Sequence, residues 1–229
     1  MISTKKKFEK EFFEEWATDY DERRNKSFLE KSKQKLKTIL EQIKIKNGSY
    51  LEIGLGTGES FEIASNNFDF SVGTDISEGM VRKTKIKNNV SKNLFVGDAC
   101  NLPLKSELFD FIFCQDVLEH VPYQKKLILE VYRLLKIGGI GIITTPNPLW
   151  APALYVAEKL KMKVEEGKHK FVFLPKLAKN TLRDLQCEII STDPYMMIPV
   201  KTKLDSIIEP LSHSFLSGLG FSQMCFIKK

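Results

Sequence analysis

The chain has 229 residues and 26.3 kDa, which suits one domain of ordinary to large size and two full domains only poorly. With 42% hydrophobic and 28% charged residues it has ample material for a core, which excludes a disordered chain. No apolar run approaches the ~20 residues of a membrane span, which excludes an integral membrane protein. The basic start MISTKKKFEKEFFEEW has no apolar stretch behind it and does not read as a secretory signal. Cys100, Cys114, Cys187 and Cys225 are far apart and share no CxxC spacing, so reduced thiols in a cytoplasmic protein are expected rather than a zinc ribbon or disulfide framework. The formal charge of +6 is uneven: residues 1–46 hold 13 Lys/Arg against 9 Asp/Glu. Such a bias favours an acidic substrate, nucleic acid or an anionic membrane surface, or is simply a solvated helix surface.

In chain order, residues 5–45 read as one or two helices, with Phe8, Phe12, Phe13, Trp16 and Tyr20 on one helical face. Short apolar runs then alternate with amphipathic stretches. Strands are predicted at Tyr50–Ile53, Phe70–Thr74, Asn93–Val96, Phe109–Cys114 and Ile140–Thr145, and helices at Gly58–Asn66, Ser77–Lys87 and Gln124–Leu135. Uninterrupted apolar runs suit parallel strands covered on both faces. The alternation predicts a doubly wound, Rossmann-like α/β sheet. After Thr145 the prolines of TPNPLWAP break the rhythm and lead into an irregular stretch up to about His169. Pro175–Asp184 reads as a helix. Glu188–Thr192 and Phe221–Lys228 read as an antiparallel edge pair, with 196–218 a long excursion between them. No repeat or linker marks a boundary, so residues 1–229 are expected to form a single domain. Its parts are an N-terminal helical cover (1–46), a cofactor-binding half (47–146), an acceptor-site insertion (147–174) and a C-terminal helix with edge strands (175–229).

The strongest local signal is YLEIGLGTG, a strand running into Gly54, Gly56 and Gly58 and then a helix. Alternate glycines let the backbone turn sharply and lie against a ligand. The phosphate-binding pattern G-x-G-x-x-G would need its third glycine at position 59, which is Glu59. A carboxylate there would repel a pyrophosphate, so the loop suits a ligand without phosphate, and Glu52 adds negative charge nearby. Asp75 ends the next strand, where an acid can accept both hydroxyls of a ribose. Asp98 ends the strand after that. It could accept from an adenine amine while the Ala99 N–H reaches a ring nitrogen.

These motifs carry a resemblance. LEIGLGTGES, VGTDISEGMV, VGDACNLPLKSELFDFIFCQDVLEHV and LLKIGGIGIITTPNP span residues 50–148 almost without gaps. In order and spacing they resemble class I S-adenosylmethionine (AdoMet) dependent methyltransferases of the ubiquinone/menaquinone-biosynthesis type. WATDYD resembles that family's N-terminal segment, and HKFVFLPKLAKNTL its region before the sixth strand. The resemblance implies a seven-stranded, mostly parallel sheet with an antiparallel C-terminal edge and AdoMet as cofactor, with S-adenosylhomocysteine as product. Glu52, Gly54, Gly56 and Gly58 would surround the methionine part. Asp75 would hold the ribose hydroxyls, and Ile76 would pack on the adenine. Asp98 and Ala99 would read the adenine edge, the Gln115 backbone would face the amino group, and Tyr20 or Arg24 would close over the carboxylate. Leu55, where relatives carry a small residue or cysteine, and Gln186-Cys187, where they carry Gly-Phe, depart from the pattern.

Transfer from a sulfonium is an in-line displacement that needs little covalent help, so positioning carries most of it. A general base matters only for a protonated nucleophile such as a hydroxyl. His120 and His169 are the candidates, and His213 reads as a surface residue. Asp116, Glu119 and His120 stand at i, i+3, i+4. On a helical turn they would meet, either to hold a divalent cation or supply a base, or with Asp116 as a cap and His120 as a structural residue. No metal is assigned. Trp150, Tyr155, Met162, Phe171 and Phe173 either line an apolar acceptor pocket or form a small local core. The expected acceptor is a small molecule methylated on oxygen or nitrogen, with peripheral membrane contact compatible with the basic charge. An RNA or protein methyltransferase is the alternative, but QDVLEH lacks the Asn/Asp-Pro-Pro-aromatic segment of enzymes that methylate adenine, and no Pro-Cys offers a cytosine nucleophile. A nicotinamide-dependent oxidoreductase would need the missing third glycine, and a non-catalytic AdoMet-binding protein would not need so complete a set of cofactor positions.

Overall fold

The computed structural model describes residues 4–18, 20–23, 26–43, 45, 47–87, 93–159, 170–191, 195–199, 205–208 and 215–229. Three helices, α1 (Thr4–Trp16), α2 (Tyr20–Arg23) and α3 (Lys26–Ile43), precede the sheet. Then follow β1 (Ser49–Ile53), α4 (Glu59–Ser65), β2 (Phe70–Asp75), α5 (Glu78–Lys87), β3 (Asn93–Val96), β4 (Phe109–Gln115), α6 (Gln124–Leu134) and β5 (Leu135–Pro146). The chain continues through α7 (Ala151–Lys159), α8 (Leu174–Thr181), β6 (Glu188–Ser191), α9 (Asp205–Ile208) and β7 (Ser222–Lys228).

The strands form one sheet in the order β3-β2-β1-β4-β5-β7-β6. The first five pair in parallel, while β7 runs antiparallel to both β5 and β6. This is the doubly wound sheet with an antiparallel edge that the alternation predicts. Its strand order reverses between β1 and β4, and in open α/β sheets the crevice at the strand carboxyl ends of such a switch point receives the ligand.

The two-residue period of the central strands splits the core into two layers. Leu51, Ile53, Ile112 and Cys114 meet α6 and α8 on one face. Tyr50, Phe111 and Phe113 meet α3 and α4 on the other. There Tyr50 stacks on Phe61, Phe68 and Phe111 at 5.2–5.9 Å between centroids. Each large side chain so buried contributes about 1.5–3 kcal/mol, which anchors the strand ends that carry the polar residues.

Some boundaries differ from expectation. The stretch after Thr145 is not irregular throughout: a 3-10 turn at Pro148–Trp150 runs into α7. Pro148 and Pro152 fall in first turns, where a missing N–H costs nothing. The N-terminal segment forms three helices, because α1 ends at Trp16 and Tyr20 starts a separate turn. Arg24, Met162, His169 and His213 lie outside the described residues. Among the described residues, no helix is long and apolar enough to cross a membrane.

Candidate functional site

The glycine loop leaves β1 with Gly54, Gly56 and Gly58 at φ of 83°, 51° and 85°. A Cβ on Gly54 would collide with Val117 Cγ2, which crosses above the loop. A Cβ on Gly56 would stand 3.5 Å from the Tyr20 ring. The loop is tied to β2 by Gly54 N–H and Leu55 N–H, both donating to the Thr74 carbonyl at 2.8 and 3.1 Å. Asp75 closes this corner: Oδ2 accepts from Gly56 N–H and Oδ1 from Ser77 N–H, each at 2.9 Å. Burial pushes the Asp75 carboxyl up to about 6, against the pull of backbone N–H groups of Ser77, Gly56 and Ile76. The two close hydrogen bonds, one on each oxygen, take about two of the roughly four acceptor positions of a carboxylate, which leaves one on each oxygen for a diol.

Glu59 is turned away from the loop mouth, onto Thr57 Oγ1 at 3.0 Å and the Lys87 ammonium at 2.6 Å. Its charge is therefore locally matched, and the repulsion expected from position 59 is weaker than the sequence suggests. Glu52 is buried and accepts from the Tyr50 hydroxyl at 2.6 Å.

At the end of β3, Asp98 Oδ1 accepts from Cys100 N–H at 3.1 Å, which fixes the turn that presents Ala99. At the end of β4, the Gln115 amide joins a polar cluster. It donates to Ser32 Oγ at 2.8 Å and accepts from Ser60 Oγ at 3.3 Å. Ser32 is buried on α3, and its carbonyl accepts from the Tyr195 hydroxyl at 3.0 Å. Sequence reasoning missed Ser32, Ser60 and Tyr195. A signal existed for the first, since Ser32 shares one α3 face with Leu36 and Ile39, and a serine in an apolar stripe asks for a partner.

The trio of Asp116, Glu119 and His120 does not meet. Asp116 sits at φ 51° and accepts from Thr144 Oγ1 at 3.1 Å. Glu119 is buried and accepts from Thr145 Oγ1 at 2.9 Å. His120 is half-buried beneath α1, its ring edge-on to Phe13 at 5.1 Å. The segment is a single turn after a left-handed residue, closed by His120 N–H donating to the Val117 carbonyl at 3.0 Å, and not a helix, so the i, i+4 geometry is lost. No cluster of three potential metal ligands occurs among the described residues.

The N-terminal helix lies across both rims of the crevice. Trp16 and Ala17 are buried against Met80 of α5, with Phe12 and Tyr20 beside them. Phe13 meets His120 on the opposite rim. Tyr20, though on its own short helix, returns to Trp16 at 5.5 Å. Of the Phe8 side chain nothing is described. On the far side, Trp150 Nε1–H donates to the Leu219 carbonyl at 2.9 Å, and its ring packs edge-on to Phe221, which also meets Phe28. Tyr155 and Phe173 are 58% and 55% exposed, so they form neither a pocket lining nor a local core.

A family model described as a methyltransferase domain matches residues 51–143. A demethylmenaquinone methyltransferase of Staphylococcus saprophyticus is 30% identical over 159 residues, covering 66% of this chain and 67% of that protein. The chain belongs to the S-adenosylmethionine-dependent methyltransferases. An uncharacterised protein of Methanocaldococcus jannaschii is 33% identical over 156 residues, covering 66% of this methyltransferase and 69% of the relative. The fold agrees with a Haloferax volcanii protein described as a methyltransferase and solved in complex with a methyltransferase activator. The TM-score is 0.70, at 13% identity and 96% coverage of both chains.

Proposed function

We propose that this methyltransferase binds AdoMet along the β1–β4 strand ends and methylates a small, partly apolar acceptor on oxygen or nitrogen. The observation that carries the cofactor reading is Asp75, a buried strand-end acid held by backbone donors with acceptor positions to spare. The residues present fit the cofactor. Gly54, Gly56 and Gly58 give a cradle that side chains would fill, and Glu52, Asp75, Asp98 and Asp116 give an acidic rim suited to a cation. When bound, AdoMet supplies an electrophilic methyl on a sulfonium. In this reading Asp75 holds the ribose diol, Ile76 packs on the adenine, and Asp98 with the Ala99 N–H reads its edge. Glu52 and the Gln115 backbone face the amino-acid end, and Tyr20 or Arg24 would close over it. Residues 1–46 act as the cover: α1 touches both rims and so excludes water.

The acceptor would lie toward Phe28, Trp150 and Phe221, an aromatic row one helical turn from Ser32 on α3. Of the expected wall at Asn147–Phe173, Trp150 joins this row. His120, at the rim opposite Met80, is the described candidate for a base, and His169 remains the other. The likeness to the demethylmenaquinone methyltransferase of Staphylococcus saprophyticus supports an apolar, ring-bearing acceptor. Leu149, Tyr155 and Val156 are exposed alongside Lys159, which suits contact with an anionic membrane that dissolves such an acceptor. Methyl transfer from labelled AdoMet to quinols, phenols, amines and carboxylates tests the reading. Transfer to a phenol or quinol is expected. Transfer only to RNA or protein substrates would overturn it.

A further inference from the structure

Glu14 of α1 makes contacts that reach beyond the packing of the cover. Its Oε2 accepts from Ser77 Oγ at 2.8 Å and its Oε1 from Gly79 N–H at 2.9 Å, partners 63 and 65 residues away in sequence. A carboxylate from one helix is thus seated on the first turn of another, where unpaired N–H groups and the helix dipole favour negative charge. Ser77 is fully buried and links in two further directions. Its Oγ accepts from Met80 N–H at 3.1 Å, capping α5, and its own N–H donates to Asp75 Oδ1 at 2.9 Å. Asp75 Oδ2 in turn takes the Gly56 N–H. One unbroken run of hydrogen bonds therefore joins the N-terminal helix to the strand-end acid and the glycine loop.

Position 79 is part of the same device. A Cβ there would come to 2.7 Å from Ala17 Cβ and 3.0 Å from Glu14 Oε1. Only glycine lets α1 approach α5 this closely, so the contact depends on backbone shape as well as on charge. Lys83 adds a second fastening, its ammonium donating to the Thr18 carbonyl at 2.9 Å.

Glu14 and Asp75 are like charges on either side of Ser77: Glu14 adds to the rise that burial gives the Asp75 carboxyl, while Glu14 itself, against desolvation by burial, is held below its ordinary range by hydrogen bonds from Ser77 and Gly79. A diol that donates to Asp75 disperses its charge, which removes part of the penalty on seating Glu14. Such a coupling is reciprocal: whatever Asp75 gains from the seated helix, the helix gains from the occupied acid.

We propose that Glu14 is a positioning residue for the cofactor, coupling closure of α1 to occupation of Asp75 by the ribose diol. The inference rests on the reading of Asp75 as the ribose acid. Calorimetric titration of S-adenosylhomocysteine and amide exchange of residues 4–18, each for wild type, Glu14→Gln, Glu14→Ala, Asp75→Asn and the double variant Glu14→Ala/Asp75→Asn, test it. Exchange in this segment slows on ligand addition in the wild type, and the slowing is lost in Glu14→Ala. Glu14→Ala binds the ligand about 5–50-fold more weakly, in the lower part of the usual span of such couplings, and Glu14→Gln, which keeps the contact without the charge, falls between. In the double variant Glu14→Ala adds little to Asp75→Asn, because the two act through one path. Unchanged affinity and protection in Glu14→Ala, with Asp75→Asn weakened, would overturn the role of Glu14. Additive losses in the double variant would overturn the coupling. Unchanged affinity in Asp75→Asn would instead overturn the reading of the ribose site. Gly79→Ala, which crowds Ala17 and Glu14 Oε1 and so pushes α1 away while keeping both carboxylates in the chain, should reproduce the loss of protection.

Discussion

Asp75→Asn should make the ligand-free protein more stable while weakening its hold on the cofactor. Desolvation raises the Asp75 carboxyl from 3.8 to about 6, with Glu14 adding to the rise. Such an acid lowers stability when ionised. Below about pH 4 both folded and unfolded chains are protonated and nothing is lost. Between about pH 4 and 6 the unfolded chain releases its proton first, so stability falls as pH rises, and above pH 6 the full cost applies. The gap between the two values corresponds to about 3 kcal/mol. Asparagine removes the charge, but its Nδ2 can accept from neither Gly56 nor Ser77 N–H. One buried donor is then left facing another, at a cost of about 1–2 kcal/mol. The net gain is about 1–2 kcal/mol, or roughly 2–8 °C in Tm for a chain of this size. Thermal melts of both proteins at pH 7.5 and 4.5 measure it. Other carboxylates titrate in both proteins alike, so the difference between them isolates Asp75. The variant should melt higher at pH 7.5, and the advantage should vanish or reverse at pH 4.5. Added S-adenosylhomocysteine should restore the order in favour of the wild type, since lost hydrogen bonds to a charged acceptor cost about 1.5–3 kcal/mol of binding. A variant that melts lower than wild type by the same margin at both pH values would refute the argument.

His120→Ala should lower kcat by about 10²–10⁴ on a hydroxyl acceptor, and full activity on that acceptor in steady-state assays would remove it as the base. Gly54→Ala should destabilise by about 1–3 kcal/mol in urea denaturation, because φ is 83° and the new methyl meets Val117 Cγ2. The wild type should sediment with vesicles containing anionic lipid and not with neutral ones. Val156→Asp should reduce that binding, since it places a charge among Leu149 and Tyr155; equal sedimentation with both vesicle types would count against the membrane contact.

How far the sequence carried depends on how local each signal was. The strands of the central sheet were legible because apolar runs buried on both faces leave few alternatives, and the strand-end acids followed from them. Asp75 and the glycines needed only the chain within about twenty residues to be placed. Ser32, Tyr195 and Glu14 were a different case. Their partners are 83, 163 and 63 residues away, and nothing local distinguishes Glu14 from its neighbour Glu15. The aromatic stripe of the N-terminus is visible in the sequence, but Tyr20, expected on the same helical face, starts a separate helix. The turn at Thr18, whose hydroxyl donates to the Glu15 carbonyl, ends α1 and lets Tyr20 come back to Trp16. Asp116, Glu119 and His120 show the opposite failure, a local pattern overridden by a single backbone angle. A helical reading of DVLEH assumes that Asp116 starts in the right-handed region. At φ 51° it does not, because its N–H is held by the Thr144 carbonyl at 3.2 Å and its carboxylate by the Thr144 hydroxyl. A non-glycine residue held in that region costs about 1–3 kcal/mol and persists only where its surroundings enforce it. Here the neighbouring strand does so, at the end of β4 beside the glycine loop. The strain that scatters the supposed metal ligands also sends Val117 over Gly54 and His120 toward the cover, so the same turn shapes both rims of the crevice.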